Sequence, residues 1–529
     1  MKTSAPPPIE KDKLLPLRFR RLGERVLVTG DDGAFALLGK EDFERFLKGK
    51  LRSGPAYREL VRAGLVRNPA AEQKLVERLQ RRCQHITQGP SLHIVILTLR
   101  CNQACVYCHA SRKSPNARGL DMSLETARRV LDVIFQSPSP SLTIEFQGGE
   151  PTLNFEVLRF MVEDAYRRNE AARRELYFSL VSNLSTLHES QIDFLIDNGV
   201  MVCTSIDGPA PLHDRNRRLP GQSAYRETRR VMDLFAEGYR RRGLDPSLAF
   251  VNALATISRS ALEQPEALVD EYVALGQKAV HLRPLNPFGM GHRIWQREGY
   301  SAQEFLAFYR RALEHMIQLN RSGVEIMEKT ASLMLTRILT DENPNYMDLR
   351  SPCGAAIGQL AYNYDGRVYT CDEGRMVGAM GDDIFCIGNV RTDDYGTIIR
   401  HPGVHAMCVS SCLEGLPGCS DCAYAPYCGV CPVYNYIMEG DLVARAPLND
   451  RCRIQMGIFD TLFERMQDAT VRKLLKKWTE NRDRSSVYRR LTVQGQASKN
   501  LRASSSKARS AARPQSRRGS RKKASRARK

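Results

Sequence analysis

The sequence predicts an α/β protein built on a parallel sheet, with a cysteine-rich region behind that sheet. Six strand-like segments alternate with helical segments between residues 92 and 284. Such alternation is typical of parallel strands that are joined by right-handed helical crossovers. Ten of the fifteen cysteines then fall between Cys353 and Cys452.

A small α+β unit is predicted before the sheet, over residues 1–88. Residues 25–28 and 34–38 are short, largely apolar runs with Gly and Asp between them, which predicts a hairpin. Residues 41–51 and 57–63 have helical patterns. An edge strand of the hairpin could pair with an extended peptide substrate. The pattern fits equally well a unit that only caps the open end of the sheet.

The sheet itself is expected to contain six parallel strands and five intervening helices. The strands are predicted at residues 92–99, 142–147, 176–182, 201–206, 248–256 and 279–284. The helices are predicted at residues 124–136, 155–168, 189–198, 225–242 and 262–275. Further helical stretches follow at 302–339 and 453–478, and periodicity does not decide whether the sheet closes into a barrel.

The net charge of +20 comes largely from the C-terminal end of the chain. Residues 501–529 hold twelve Lys or Arg and no acid, and the remainder of the chain carries only +8. This low-complexity composition predicts a disordered tail, with at most weak contact to nucleic acid or to an acidic protein surface. The tail does not define the activity.

No export signal or membrane span is expected. Residues 1–13 are polar and proline-rich, which excludes the apolar core of a secretory signal. The longest strongly apolar run, residues 92–99, is far shorter than the roughly 20 residues that cross a bilayer. We therefore expect a cytoplasmic protein, whose thiols stay reduced and are available for metal. Only Cys83 and Cys203 stand apart from the cysteine groups, and we interpret them as core or incidental residues.

Three cysteines form a compact motif directly after the first predicted strand. Cys101, Cys105 and Cys108 have the spacing Cys-x3-Cys-x2-Cys. Loops at the carboxyl ends of parallel strands carry the functional site in such folds. Three thiolates can hold three irons of a cubane cluster and leave the fourth iron open for chemistry. A zinc site is the alternative, although zinc loops usually pair two close ligands with two distant ones.

With the aromatic Tyr107 before its last cysteine, this loop resembles the hallmark of the radical S-adenosylmethionine (SAM) superfamily. The resemblance implies a partial (β/α)6 TIM-like barrel and a 4Fe–4S cluster that binds SAM. Gly148, Gly149 and Glu150 resemble the Gly-Gly-Glu element of that family, which meets the methionine amino group of SAM. Other positions are similar to those around the ribose and the methionine carboxylate, although each could simply cap a turn: Ser182, Asn183, Ser205, Asp207 and Arg217.

The later cysteines resemble the SPASM extension of radical enzymes that modify peptides and proteins. The resemblance implies two auxiliary 4Fe–4S clusters, one held by Cys419, Cys422, Cys428 and Cys452. The other would be held mostly by Cys353, Cys371 and Cys431. Only two residues separate Cys428 from Cys431, where three are usual in this extension. Cys412, Cys386 or Cys408 could therefore complete the second set, and Cys412 is included among the predicted ligands. Two Cys-x2-Cys pairs would also suit a zinc ribbon.

One acid next to these cysteines is a candidate catalytic residue. Asp372 directly follows Cys371. In the sulfatase-maturating branch of the superfamily, the acid at the matching place acts as a base toward the substrate side chain. A structural hydrogen bond to the backbone is the alternative role of Asp372.

The stretches around Cys353, Cys371 and Cys428 look like one group, the B-type radical maturases of the His-Xaa-Ser system. That resemblance implies a small partner polypeptide with His-Xaa-Ser repeats, a second radical SAM maturase, and flavodoxin or ferredoxin as electron donor. The competing hypotheses are a sulfatase-maturating, formylglycine-generating enzyme and a zinc-bearing nucleic-acid-binding protein. The expected domains are residues 1–88, a radical core at 89–300, a helical connector at 301–352, the SPASM-type extension at 353–480 and the tail at 481–529.

Overall fold

The computed structural model describes residues 15–247, 251–344 and 346–480. The predicted tail at 481–529 and the polar start at 1–13 lie outside the described residues.

The N-terminal unit is a three-stranded antiparallel sheet followed by three helices. Its strands are β1 (Leu17–Leu22), β2 (Arg25–Gly30) and β3 (Phe35–Gly39), in the order β1-β2-β3. Its helices are α1 (Lys40–Leu47), α2 (Pro55–Ala63) and α3 (Pro69–Cys83). The predicted hairpin is the β2–β3 pair, whereas β1 and α3 were not predicted. Both are rich in arginine and bury one residue each, Leu22 and Ala71, so neither has the buried face by which the other elements are predicted.

The large sheet contains the six predicted parallel strands. The main elements of this region are β4 (Leu92–Thr98), β5 (Ala104–Cys105), α4 (Leu124–Ile134), β6 (Ser141–Gly148), α5 (Phe155–Ala172), β7 (Glu175–Val181), α6 (Glu189–Asp197), β8 (Val200–Ser205), α7 (Ala210–Asn216), β9 (Arg217–Arg218), α8 (Ala224–Arg241), β10 (Asn252–Ile257), α9 (Pro265–Ala274), β11 (Ala279–Val280) and β12 (Leu282–Pro284). The predicted fifth strand, 248–256, begins outside the described residues and is seen from Asn252 onward. The sixth is interrupted between β11 and β12.

Local sequence explains where these helices begin. The Ser123 hydroxyl accepts a hydrogen bond from the Thr126 amide at 3.1 Å and caps α4. Val130, Leu131 and Ile134 then lie on the buried side of α4, against a sheet whose inward residues are also apolar. Strand residues such as Val95 are fully buried, as expected for parallel strands with helices on their face.

A helical connector leads from the sheet to the cysteine-rich region. It contains α10 (Met290–Glu298), α11 (Ala302–Arg321), β13 (Met327–Glu328) and α12 (Lys329–Leu339). The helical stretch predicted at 302–339 is therefore two helices. Gly323 has φ +92° and ends the first helix, because only glycine adopts that conformation without strain.

The cysteine-rich region adds three strands to the large sheet. Its elements are β14 (Gln359–Tyr362), β15 (Arg367–Tyr369), α13 (Asp372–Gly378), β16 (Cys386–Asn389), α14 (Tyr395–Ile399), α15 (Pro402–Val409), α16 (Pro432–Glu439), α17 (Asp450–Arg465) and α18 (Ala469–Glu480). The single closing helix predicted at 453–478 is two helices, and Asp468 caps the second by accepting the Thr470 amide at 2.7 Å.

The resulting nine-stranded sheet has the order β12-β10-β8-β7-β6-β4-β14-β15-β16. Strand β14 runs parallel to β4, and β15 and β16 continue antiparallel. The two outer strands, β12 and β16, do not pair with each other among the described residues, so the barrel is open. Within the same part of the chain, no helix is long and apolar enough to span a membrane. The five domains given above, with their four boundaries, remain predictions.

Candidate active site

The first cysteine motif forms a loop that three separate segments hold in place. The short strand β5, which contains Cys105, pairs with β9, which contains Arg217. The amide of Cys101 donates to the Lys113 carbonyl at 3.1 Å. The amide of Met290 donates to the Cys108 carbonyl at 2.8 Å, and Gly289 packs closely against that carbonyl. The loop is therefore fixed by its own backbone and does not depend on its thiols for its shape.

Burial disfavours ionisation of these thiols. Burial raises the pKa of Cys105 to about 11, although Arg217 acts in the opposite direction. The pKa of Cys101 is also raised, first by burial and then by the negative charge of Glu150. Because the thiolate is the form that binds metal, a metal cluster must displace protons when it enters this loop.

Gly148 and Gly149 lie where β6 ends and press against the backbone that leads into the cysteine loop. A Cβ on Gly148 would lie 2.1 Å from the Thr98 carbonyl oxygen, and one on Gly149 would lie 2.3 Å from that of Arg100. Gly148 also has φ +146°. Glycine is thus required here for close packing of the chain on itself, in addition to any approach of a ligand.

Glu150 is completely buried and binds groups of the protein. Its carboxylate accepts hydrogen bonds from Thr152 Oγ1 at 2.6 Å, Ser182 Oγ at 2.8 Å and the Asn183 amide at 2.8 Å. Asn183 in turn donates to Asn102 Oδ1 at 2.9 Å, beside Cys101. Glu150 therefore positions Ser182 and Asn183, and its expected contact to an ammonium group remains a prediction.

Tyr107, Asp207 and Arg217 form a buried network behind the cysteine loop. The Tyr107 hydroxyl donates to Asp207 Oδ2 at 2.5 Å, and Arg217 Nε lies 3.3 Å from the same carboxylate. The guanidinium of Arg217 lies over the Tyr107 ring. Burial opposes the charge of Arg217, but Asp207 and Tyr107 raise the pKa of this guanidinium, so Arg217 is a permanent cation at the loop.

Most of the predicted site residues line one cavity of about 340 Å³ at the carboxyl ends of the strands. The predicted residues that line it are Cys101, Cys105, Tyr107, Cys108, Gly148, Gly149, Ser182, Asn183, Ser205, Arg217 and Asp372. Glu150 and Asp207 lie behind its wall. Because their carboxylate oxygens are engaged by protein donors, we assign both a positioning role.

The cavity also contains residues that the sequence reading did not select. Glu145, Cys203 and Arg283 line it. Each belongs to a predicted strand and lies on the side that faces the barrel interior, which is the signal that could have identified them. Cys203 is thus a cavity residue, and Cys83 is exposed, so of the two interpretations, core or incidental, the core one fits neither residue.

Asp372 enters this cavity from the cysteine-rich region. Arg375 donates to Asp372 Oδ1 through Nε at 3.2 Å and through Nη2 at 3.0 Å. Arg375 also reaches the Ala110 carbonyl at 3.3 Å, which ties α13 to the end of the cysteine loop. No described residue donates a hydrogen bond to Asp372 Oδ2, so this oxygen is available to a substrate.

The later cysteines fall into two groups in space. Five thiols line a second cavity of about 260 Å³: Cys419, Cys422, Cys428, Cys431 and Cys452. Cys431 also belongs to an apolar cluster with Cys353 and Cys371, against which Cys386 packs. The partition into two cluster-binding sets that the resemblance implies remains a prediction.

Cys412, one of the predicted ligands, follows Ser411, whose hydroxyl accepts a hydrogen bond from the Cys353 amide at 2.9 Å, and its role as a ligand remains a prediction. It begins the short turn Leu413–Gly415, and its Sγ lies 3.3 Å from Glu414 Oε2. Cys386 packs against the apolar cluster of Cys353, Cys371 and Cys431, and its thiol donates to the Gly388 carbonyl at 3.6 Å on β16. Cys386 therefore stays a candidate for the fourth ligand of the second set.

Across residues 15–247, 251–344 and 346–480, no three or more Cys, His, Asp or Glu side chains converge closely enough to hold a single ion. In the clusters that the resemblance implies, one thiolate binds each iron.

Known proteins share the fold and the central motif region. Residues 95–245 match the model of the Radical SAM superfamily. A cysteine-type anaerobic sulfatase-maturating enzyme of Clostridium perfringens is 29% identical over 140 residues, which are 26% of this chain and 38% of that enzyme. The AdoMet-dependent heme synthase of Nitratidesulfovibrio vulgaris is 26% identical over 367 residues, which are 66% of this chain and 90% of that enzyme.

A solved structure extends the match to most of the chain. Native anSMEcpe with bound AdoMet and Kp18Cys peptide superposes with a TM-score of 0.59 at 19% identity, covering 73% of this chain and 100% of that one. At this identity the match establishes the fold. The α/β class predicted from the sequence, with a cysteine-rich C-terminal region, is confirmed.

Proposed function

We propose, since residues 95–245 of this chain match the model of the Radical SAM superfamily, that the protein cleaves SAM reductively and modifies a peptide or protein with the resulting radical. The observation that carries the proposal is the shared cavity. It places the three-cysteine loop, Gly148, Gly149 and Arg217 opposite Asp372. Cofactor-binding groups and a free carboxylate oxygen thus face the same space.

The residues of this chain would have the following roles. Cys101, Cys105 and Cys108 hold the cluster, while Ser182, Asn183, Ser205 and Arg217 bind the polar groups of SAM. When bound, the cluster and SAM together supply an electron and a 5′-deoxyadenosyl radical that takes a hydrogen atom from the substrate. Asp372 Oδ2 accepts a proton from the substrate side chain, with Arg375 fixing the carboxylate through Oδ1.

The substrate is proposed to be a small polypeptide with His-Xaa-Ser repeats, with a second radical SAM maturase acting beside this protein. Flavodoxin or ferredoxin would deliver the electrons. The sequence resemblance around Cys353, Cys371 and Cys428 supports this choice. The peptide bound in the anSMEcpe structure is consistent with a peptide substrate for this fold.

Sulfatase maturation is the second candidate function. The similarity to the sulfatase-maturating enzyme and the acid that follows Cys371 favour it. The zinc-bearing nucleic-acid-binding alternative has less support, because the described side chains offer no single-ion site.

The decisive experiment compares the two substrate classes under anaerobic conditions. Reconstituted protein is reduced with SAM and incubated with a His-Xaa-Ser polypeptide or with a sulfatase peptide. We expect 5′-deoxyadenosine, a mass change only in the His-Xaa-Ser polypeptide, and roughly twelve irons per chain if three cubanes are present. A mass change only in the sulfatase peptide would select the second function. Protein that binds zinc and forms no 5′-deoxyadenosine would refute both.

A further inference from the structure

A third cavity lies between the N-terminal unit and the cysteine-rich region and shares no residue with the proposed active site. Its volume is about 390 Å³. We call it the arginine cavity, because Arg18, Arg82, Arg337 and Arg350 line it. Asp31 and Glu414 are its two acidic residues, so the charged groups leave a surplus of two positive charges.

Arg82, Arg337 and Arg350 form no direct ion pair with a carboxylate among the described residues, although the more distant charges of Glu414 and Asp32 act on Arg82. Arg82 donates to the Asp31 backbone carbonyl at 2.6 Å, and Arg337 donates to the Pro426 carbonyl at 3.0 Å. Arg350 is 3% exposed, and its Nη1 meets only the sulfur of Met347. The buried Nε of Arg350 has no hydrogen-bond partner within the part of the chain that the structure describes. A buried guanidinium without an anion is costly, which indicates that a ligand supplies the missing charge.

The nearby cysteine sets do not neutralise all of the positive charge of these arginines. Arg337 lies near Cys428 and Arg350 lies near Cys353, so each arginine would be stabilised when its cysteine becomes a thiolate ligand. Neither cysteine lines the arginine cavity, and Arg82 has no neighbour from either set. The cavity therefore retains positive charge that an incoming anion would meet.

An apolar stripe on α3 leads into the arginine cavity. Val76, Leu79, Cys83 and Ile86 follow one another three or four residues apart, so they lie along one side of the helix and of the turn after it. Val76 is 47% exposed and Ile86 is 42% exposed. Leu79 and Cys83 line the cavity itself. One bound segment could thus place an apolar side chain on this stripe and a carboxylate in the adjacent arginine cavity.

We propose that the arginine cavity and this stripe bind an acidic, apolar segment of the peptide substrate. A carboxylate enters between Arg82, Arg337 and Arg350, and neighbouring apolar side chains cover Val76, Leu79 and Ile86. This inference rests on the proposed function for the existence of a peptide substrate. Tethering one segment here would raise the local concentration of another segment at the separate active-site cavity.

The test uses a fluorescent twelve-residue probe of alternating Leu and Glu with the oxidised holoprotein, without SAM or reductant. Fluorescence anisotropy should show binding that weakens at least tenfold when Gln replaces Glu in the probe, because charge-assisted bonds to arginine are lost. The double variant Arg82→Gln/Arg337→Gln should weaken binding of the acidic probe at least tenfold. The control Arg62→Gln/Arg81→Gln removes two exposed charges from α2 and α3 and should bind as wild type.

Two further measurements keep the result interpretable. Cys83 is exposed, so the acidic probe should protect it from iodoacetamide, as read by mass spectrometry. The variant Arg82→Lys/Arg337→Lys should keep most of the binding if charge is what matters, and iron content reports whether each variant folds.

Equal binding of the Glu and Gln probes, or unchanged reactivity of Cys83, would overturn the inference. Protection of Cys83 by inorganic phosphate but not by the probe would assign the cavity to a free anion instead, and would also overturn it. Because no measurement needs radical chemistry, 5′-deoxyadenosine formation separates failure of this inference from failure of the proposed function.

Discussion

Two neighbouring glycines and the acid after them have different roles at the end of β6. Gly148 and Gly149 allow the strand end to touch the backbone of Thr98 and Arg100, whereas Glu150 turns away from the cavity and holds Ser182 and Asn183. A short motif that was expected to meet a ligand thus also sets the position of the cysteine loop.

Replacing Gly148 with alanine tests that packing role. The new Cβ would clash with the Thr98 carbonyl, and the φ of +146° would become strained. We expect a loss of stability of about 3 kcal/mol or more and reduced iron in the first cluster. Thermal unfolding and iron analysis measure both. The control is Gly39→Ala, where nothing lies within 4 Å of the added atom. Equal behaviour of the two variants would contradict this role.

Asp372→Asn tests the proton acceptor. Asparagine keeps the size of the side chain and a hydrogen bond to Arg375, but it removes the basic oxygen that faces the cavity. We expect product formation to fall by about 10² to 10⁴-fold while reductive cleavage of SAM without peptide stays near wild type. Liquid chromatography of 5′-deoxyadenosine and mass analysis of the peptide separate the two steps. Full product formation would leave Asp372 with a structural role only.

At the residue scale, sequence alone identified side chains that stand in motifs, and it missed those that stand alone. The cysteines were selected for their spacing, whereas Tyr107 and Arg217 were selected through the resemblance to the radical SAM superfamily. Arg283 and Cys203 line the same cavity but occupy ordinary strand positions, and only the fold reveals which way they face. Cys412 was included to complete the second cysteine set, and its Sγ lies 3.3 Å from Glu414 Oε2.

Strands and helices of the central sheet followed the predicted pattern because each buries a continuous apolar face. Elements outside this regularity were not predicted. Strand β14 has only four residues, and nothing in its sequence indicates that its partner is β4, almost 270 positions earlier. The chain breaks at Gly323 and Asp468 each separate two helices that the sequence pattern predicted as one.

Strand β4 also contains a titratable group that makes stability depend on pH. Burial lowers the pKa of His93 from 6.5 to about 3. The unfolded chain therefore takes up the proton first, and stability falls as pH decreases below 6.5. The slope from one such histidine is about 1.4 kcal/mol per pH unit until the pH nears 3.

His93→Gln should therefore flatten the acid dependence of unfolding. Between pH 6.5 and pH 5 the wild type should lose on the order of 2 kcal/mol more than the variant. The melting temperature of the holoprotein at both pH values measures the difference. His292→Gln, at an exposed position on α10, is the matched control and should retain the wild-type slope. An unchanged slope in the His93 variant would refute the assignment.

At the scale of the whole molecule, the N-terminal unit is joined to the cysteine-rich region. Arg20 on β1 forms two hydrogen bonds to Asp460 on α17, at 2.6 and 2.7 Å. Tyr424 donates to the same carboxylate, and the Tyr427 hydroxyl donates to the Gly33 carbonyl at 2.8 Å. The first and last described parts of the chain thus pack together beside the cavity that Cys419 and Cys422 line, and Arg20 lines this cavity as well.

Arg20→Gln should weaken this junction. We expect a loss of about 1 to 3 kcal/mol, because the partly buried Asp460 keeps only Tyr424 as a partner. Limited proteolysis should then cut faster between α3 and β4. Arg21→Gln changes the adjacent, exposed residue of β1 and serves as the control. Identical cleavage rates for both variants would show that the ion pair does not hold the unit in place.

The pairing of β14 with β4 also affects how the protein is made. On the ribosome, β4 emerges more than 250 residues before the strand that covers its free side. At about 5 to 20 residues per second, that apolar edge stays bare for roughly 15 to 50 seconds. An uncovered strand edge readily pairs with another chain. Nascent molecules should therefore aggregate during synthesis unless a chaperone shields them, and slower translation should lower the yield of soluble protein.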